Sequence, residues 1–460
     1  VQNAPFLALK NNPIIKSLYQ VALELKTPIY LVGGAVRDLL MGIPVEKDFD
    51  LVMKDHLIKA VDLFSREVGG SFFPLSLTPP NYRVVLFQNN QRREIDFSVF
   101  RGSNLTEDLI NRDFTVNAIA LEIKELFQRK ELRLYDPLGG KEDIAKRLLR
   151  LTSPFSLEQD PLRILRAIRI AKEGEFQIES QTQAKIIQQK DLLLSVSEER
   201  IRSEFFKLLS FPEAEKSFQL LEELGLLSLL LPEKPRDLQP ALEIVRRCEW
   251  ALNHLPDIFP EFSEKLSHHF AEEIEESVTR GSLLKLGGFL LTRKDMVSKE
   301  KALRWGEDIS QRFKLGRKAK RILKKMIKFS LPINFFQDEV NWLHPRVLFQ
   351  FFRQVESEGI EIMLLSWSDY LKKIEQPAGS KEDFRIRKLL NYLFHYYFNE
   401  YPFSRPLITG QELMEKFGIK EGKIVGELLN QVAQMEAQGL LRTPQEAIQY
   451  VKTYLSKSND

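Results

Sequence analysis

The hydrophobic period of this chain changes once, near residue 150, and does not change back. Ahead of that point, short β-rich runs at 28–32, 49–53, 83–87 and 95–100 are separated by amphipathic segments. From Asp160 onward, helical periodicity runs almost without interruption and convincing strands disappear. Such a pattern predicts an α+β multidomain protein: an N-terminal head in which helices cover a mixed sheet, then an all-α remainder. The 460 residues also exceed what one core usually serves. Proline-containing breaks at 211–213, 232–236 and 401–406 divide the helical part. The expected domains are a head over 1–150, a neck over 151–232, a body over 233–400 and a tail over 401–460.

Composition matters mainly for what it excludes. An apolar content of 43% and a charged content of 28% belong to an ordinary folded soluble protein, not to a disordered, collagen-like or membrane chain. The most apolar runs, such as 192–196 and 226–232, are far too short to span a bilayer, and no charged-then-apolar signal segment opens the sequence. Cys248 is the only cysteine, so no intramolecular disulfide forms, and no Cys/His spacing suits zinc. These features predict a cytoplasmic protein without membrane contact. The net charge is only +3, so any nucleic-acid footprint must be local.

Two segments of the head suggest chemistry. Tyr30-Leu-Val-Gly-Gly-Ala-Val-Arg-Asp38 reads as a buried strand, a glycine turn and a helix from about Ala35. Gly33 and Gly34 would let the backbone approach a triphosphate, the helix N-terminus offers free N–H groups, and Arg37 can add a bidentate phosphate contact. A Gly-Gly turn is equally at home as a mere tight connection. In Lys47-Asp-Phe-Asp-Leu-Val52, Asp48 and Asp50 occupy alternate positions of a strand and so emerge on one face. A divalent cation between them would relieve their repulsion, as a two-metal phosphoryl-transfer site requires; two solvated surface aspartates would look the same. Asp96, on a later strand, is a third candidate carboxylate.

Taken together and in this order, GGxxRD, a short spacer and DxD resemble the signature of class II tRNA nucleotidyltransferases and bacterial poly(A) polymerases. Asp108-Leu-Ile-Asn-Arg-Asp-Phe-Thr-Val-Asn-Ala-Ile-Ala120 is similar to the family's RRDFTxNA motif, and Tyr135-Asp-Pro-Leu-Gly-Gly140 continues the match. The resemblance implies a polymerase-beta-type nucleotidyltransferase head. It also implies magnesium (Mg2+) bound by Asp48 and Asp50, with Asp96 at the third-carboxylate position, and a nucleotide contact from Arg112. Asn111 stands where the family has the first arginine of its motif.

Gln159-Asp-Pro-Leu-Arg-Ile-Leu-Arg-Ala-Ile-Arg169 is expected to open a helix with Asp160 near its start and Pro161 in its first turn. At a spacing of three, Asp160 and Arg163 would be neighbours, with Arg166 and Arg169 continuing the row. Alone, this is an ordinary surface ion pair. The segment resembles the family's EDxxRxxR motif, which implies that Asp160 and Arg163 read the base edge of the incoming nucleotide while Arg166 and Arg169 contact the nucleotide or its phosphates. An acceptor beside a donor complements cytosine and adenine but not uracil and guanine. The segment 199–209 resembles the family's neck helix, a structural brace for the base-reading helix.

In the helical half, nine Lys or Arg and no acid fall between Arg312 and Lys328, interleaved with an apolar stripe. The stripe is core, and the basic face is a candidate RNA phosphate surface or a solvated face. The segment 407–426 resembles the family's tail, although Gly418 serves equally as a helix cap. Where some relatives carry a His-Asp metal-hydrolase dipeptide, this chain has Leu291 and Thr292.

The implied reaction is attack of a tRNA 3′-hydroxyl on the α-phosphate of CTP or ATP, with release of pyrophosphate. Relatives that build a whole CCA end carry a flexible loop before the RRD motif, and only residues 102–107 occupy that space here. This implies a CC-adding enzyme using CTP, with a separate A-adding enzyme acting afterwards. The alternatives are full CCA addition, A addition, poly(A) synthesis, or an RNA-binding module with a vestigial site. The chain has Val68-Gly-Gly-Ser-Phe-Phe73 where poly(A) polymerases have a basic element, and its DxD is intact.

Overall fold

The computed structural model describes residues 4–45, 49–88, 91–128, 132–231, 237–291, 299–329, 344–373, 379–401, 407–437, 440–441 and 443–457. The chain divides into two compact units, one of Val1–Leu208 with Leu220–Leu229, the other of Leu209–Gln219 with Leu230–Asp460.

The first unit is built on a mixed sheet of seven strands: β1 (Tyr30–Val32), β2 (Phe49–Met53), β3 (Ser71–Leu77), β4 (Pro80–Gln88), β5 (Gln91–Val99), β6 (Ala120–Glu122) and β7 (Leu134–Tyr135), in the order β3-β4-β5-β2-β1-β6-β7. Of these pairs only β2 with β5 is parallel; the other five are antiparallel. The four strand runs expected from the sequence coincide with β1, β2, β4 and β5. Strand alternation sorts the side chains of β2 and β5. Phe49, Leu51, Ile95 and Phe97 are fully buried, and Phe97 meets Phe64 of the helix Leu57–Val68 at 5.4 Å between ring centroids. Burying one such aromatic stabilises by roughly 1.5–3 kcal/mol. Asp50, Asp96 and Ser98 fall on the opposite face, where Val52 joins Val32, Leu109, Ala118 and Ala120 in a second cluster.

Among the described residues the expected all-α remainder is helical with two small exceptions. Leu148–Leu149 pairs in parallel with Gln177–Ile178, and Glu273–Glu275 pairs antiparallel with Val278–Thr279. Segments of two or three residues are too short to leave a period-two trace in the sequence.

In the second unit the helix Arg280–Leu291 is buried along its whole length. Leu291 is core, and Thr292 lies outside the described residues. The helix Gly410–Phe417 opens on a capping box between Thr409 and Glu412 and ends at Gly418 with φ 65°, which is the helix-cap role weighed for that glycine. Among the described residues no helix is long and apolar enough to cross a membrane.

Candidate active site

β2 and β5 run in register, which sets Asp50 directly opposite Asp96. Asp50 opens onto a cleft and is reachable by solvent, yet it is closely walled. That enclosure pushes its carboxyl above the usual range; Arg112 opposes the shift and Asp96 adds to it. Among the described residues nothing hydrogen-bonds the Asp50 carboxylate. Asp96 is different, because Arg83 of β4 grips both of its oxygens, at 2.7 and 2.8 Å. Asp48 lies outside the described residues. Among the described residues no three His, Cys, Asp or Glu side chains converge as a metal cluster. The two carboxylates that do meet, one without a protein partner and raised by its surroundings, have the charge and donor type of a hard divalent cation site.

The glycine turn follows β1 into the helix Gly34–Leu40. Gly33 has φ 75°, and a Cβ there would stand 3.0 Å from Asp50 Oδ2. Both facts require glycine beside the carboxylate. Arg37, one turn in, is buried and already occupied, donating to Asp38 (2.8 Å) and Asn117 (3.3 Å) and lying 3.4 Å from Glu173.

The segment 108–117 is a set of fixed polar groups. Asp108, fully buried, accepts from Arg112 (3.0 Å) and from the backbone N–H of Arg101 (3.0 Å), so it aims Arg112 into the cleft. Burial alone would raise the Asp113 carboxyl, but Arg166 at 2.6 Å, the Asn117 amide and the Phe114 N–H outweigh it and hold Asp113 well below the usual range. Asn111 turns inward, donating to the carbonyls of Arg101 and Glu107, while its own carbonyl accepts from Arg163 at 2.7 Å. The 135–140 motif is scaffolding. Asp136 accepts from the N–H groups of Gly140 and Lys141, and a Cβ on Gly140 would stand 2.2 Å from the Thr115 carbonyl oxygen.

The arginine helix spans Arg163–Glu173, three residues later than expected. Asp160 is extended, with φ −150° and ψ 97°, because Pro161 disfavours the α conformation in the residue before it. Asp160 and Arg163 therefore do not form a helical pair. Asp160 accepts two bonds from Arg200 of the neck helix Glu198–Ser210, at 3.0 and 3.1 Å. Arg163 is buried, and it donates to Ser156 Oγ (2.7 Å), the Ser156 carbonyl (3.1 Å) and Gln159 (3.3 Å); burial pulls its pKa down. The neck helix does brace its neighbour: buried Glu204 accepts from Arg169 at 2.7 Å and lies 3.6 Å from Arg166.

These elements bound two adjoining clefts. One, of about 310 Å³, gathers eight of the expected site residues, namely Gly33, Gly34, Asp50, Asp96, Arg112, Asp160, Arg163 and Arg166. A wider one, of about 810 Å³, is lined by Arg37 and Arg169 and shares Gly34, Asp50, Asn117 and Arg166 with the first. Sequence reasoning passed over Arg101, Asn117 and Arg200 as lining residues, although Asn117 and Arg200 lie in segments it singled out. Arg83 had no signal, since its partner is fixed only by the pairing of β4 with β5.

The basic segment of the second unit looks less free than its sequence suggests. Lys318, Arg321, Lys324 and Lys325, four of the nine cations, meet Glu272, Glu358, Glu307 and Glu356 respectively.

Comparison with known proteins agrees with this geometry. Residues 29–150 match the family described as the poly A polymerase head domain, and residues 175–236 match the probable RNA and SrmB-binding site of polymerase A. The CC-adding tRNA nucleotidyltransferase of Geobacter sulfurreducens is 30% identical, over 92% of this chain and 91% of that one. The A-adding tRNA nucleotidyltransferase of Deinococcus radiodurans is 32% identical, over 93% and 96%. The Thermotoga maritima CCA-adding enzyme, solved with tRNA, shares the fold with a TM-score of 0.62 at 24% identity over 99% of each chain. A nucleotide-sized cleft floored by paired aspartates, and identity sustained along nine-tenths of a curated relative, place the chain in the class II tRNA nucleotidyltransferase family.

Proposed function

We propose that the protein adds two cytidines to the 3′ end of tRNA from CTP, releasing pyrophosphate and using no nucleic-acid template. The observation that carries this reading is the Asp50–Asp96 floor of a cleft otherwise walled by fixed arginines. Asp50 and Asp48 would hold magnesium, with Asp96 beside them. Bound there, it would favour ionisation of the RNA 3′-hydroxyl and offset charge on the leaving phosphate oxygens. The chain's own groups do the rest. Arg112, set by Asp108, and Arg166, set by Asp113, present cations to the nucleotide phosphates with no reorganisation at the moment of reaction. Asp160 and Arg163 meet the base. Each keeps capacity for this, since a carboxylate has about four acceptor sites and a guanidinium five donors. Cytosine offers an amino donor beside a ring-nitrogen acceptor, and uracil would leave both protein groups wrongly matched.

Restriction to cytidine is supported by the connection after β5. Only Gly102, Ser103 and Asn104 separate Arg101 from the helix Leu105–Ile110, and Ser103 and Asn104 are tied to Glu107. No length remains there for a mobile lever. The likeness to an A-adding relative favours a second reading, addition of the terminal adenosine alone. One assay separates them: tRNAs ending at the discriminator base or already in CC are each given CTP and ATP together and the products are sequenced. The expected product ends in CC. Extension only of transcripts already ending in CC would establish the A-adding reading instead.

A further inference from the structure

We propose that Arg93 and Lys207 form a phosphate-binding pair on the outer wall of the wide cleft, taking the phosphodiester of the RNA end or the polyphosphate tail of the nucleotide. The inference rests on the nucleotidyltransferase reading above and adds two residues to which that reading gives no role.

The argument starts from which cations in that cleft are already in use. Arg37 is matched by Asp38, Arg166 by Asp113, and Arg169 by Glu173 and Glu204. Those three cations therefore bring their own counter-charges. Arg93 and Lys207 line the same cleft, and neither is firmly matched. Lys207 is half exposed and comes only within 4.0 Å of Glu204, which Arg169 already holds. Among the described residues the Arg93 side chain has no hydrogen bond or ion pair, and its Nε is buried without an acceptor. A guanidinium cannot shed its proton to relieve this, so it is free to take an acceptor supplied from outside. A phosphate oxygen suits it better than a carboxylate from solvent, because the cleft is continuous with the Asp50 floor, where phosphates react.

The position fits such a task. Among the described residues β5 begins four residues before its first partner on β2, and Arg93 lines the cleft together with Pro44 and Val45. Along the strand it is three residues, about 10 Å, from Asp96. It is too far for the reacting α-phosphate itself and suits a neighbouring phosphate.

Arg93→Ala, Lys207→Ala and the double variant test this in the full-length protein, alongside Arg93→Lys. One arm measures anisotropy of labelled tRNA without nucleotide as salt is varied; the other measures KM for CTP at saturating tRNA. The expected result is a loss of about three- to tenfold per cation in one of the two affinities, with kcat changed by less than about twofold and Arg93→Lys partly restored. A weaker RNA affinity with a salt slope lower by about 0.7 per lost cation identifies the RNA backbone, and a raised KM for CTP identifies the nucleotide tail. Unchanged values in both arms, in variants with unaltered melting, overturn the proposal. A wild-type protein that incorporates no nucleotide into any tRNA would instead remove the reading beneath it.

Discussion

Replacing Asp113 by alanine should cost the head about 3 kcal/mol and disable Arg166. The side chain is nearly buried and makes four polar contacts: two from Arg166, at 2.6 and 3.1 Å, one from the Asn117 amide and one from the Phe114 N–H. Removing one partner of a buried ion pair costs about 3–5 kcal/mol, because the other charge stays behind unmatched. Arg166 is a third exposed and still has Glu204 at 3.6 Å, so the lower end applies. The pH dependence has a definite sign. Asp113 is held below its ordinary value, so its contribution is complete above about pH 4 and is lost only as pH falls through the lower folded value. Between pH 6 and 8 the cost should therefore be constant. All four tryptophans lie beyond residue 230, so fluorescence would report the helical unit. Hydrogen exchange of the β2 and β5 amides is the appropriate readout. In a cycle with Arg166→Ala, the coupling should exceed about 1.5 kcal/mol. Additive losses, or a single-variant cost below about 1 kcal/mol, would refute the claim that this pair organises the cleft.

Other expectations concern chemistry and the helical unit. Asp50→Ala should abolish cytidine incorporation at any magnesium concentration while tRNA binding by gel shift persists; substantial turnover would displace Asp50 from the metal role. Arg200→Ala frees Asp160 from an exposed pair worth roughly 0.2–1 kcal/mol, so melting should barely move while the preference for CTP over UTP changes severalfold; four-nucleotide kinetics decide the matter. In the helical unit, Lys318 is the main reason that Glu272 is held down at about 2, with Arg280 assisting. That contribution is complete above about pH 4.5 and fades as pH falls toward 2. Circular dichroism melts should therefore show acid loss in the wild type that is shallower in Lys318→Met.

The sequence made the head legible because its strands obey period two and its aspartates alternate. Asp50 and Asp96 were both named, and their direct pairing follows from a register that only the folded sheet supplies. The arginine helix was recognised but started too early, since Pro161 reads as a first-turn proline while its effect on Asp160 dominates. Arg83 was invisible as a partner, being joined to Asp96 across a hairpin, whereas the neck helix was expected to brace the base-reading helix and does so through Glu204 and Arg169, 35 residues apart. The basic run at 312–328 misled in the opposite direction. Its acids lie in other parts of the chain, so local counting could not show that they answer its charge.

The single parallel junction of the seven-stranded sheet also bears on how such a chain can diverge. Between β2 and β5 the polypeptide leaves the floor of the cleft, forms the helix Leu57–Val68 and the β3–β4 hairpin, and returns alongside its starting point. The hairpin sits at the sheet's outer margin, with Phe72, Phe73, Leu75 and Leu77 exposed. Lengthening an excursion of this kind costs only about 0.6 kcal/mol for each doubling of a flexible loop. The hairpin tip is thus a place where insertions can accumulate and be selected for new contacts, while the register that sets Asp50 against Asp96 is inherited unchanged.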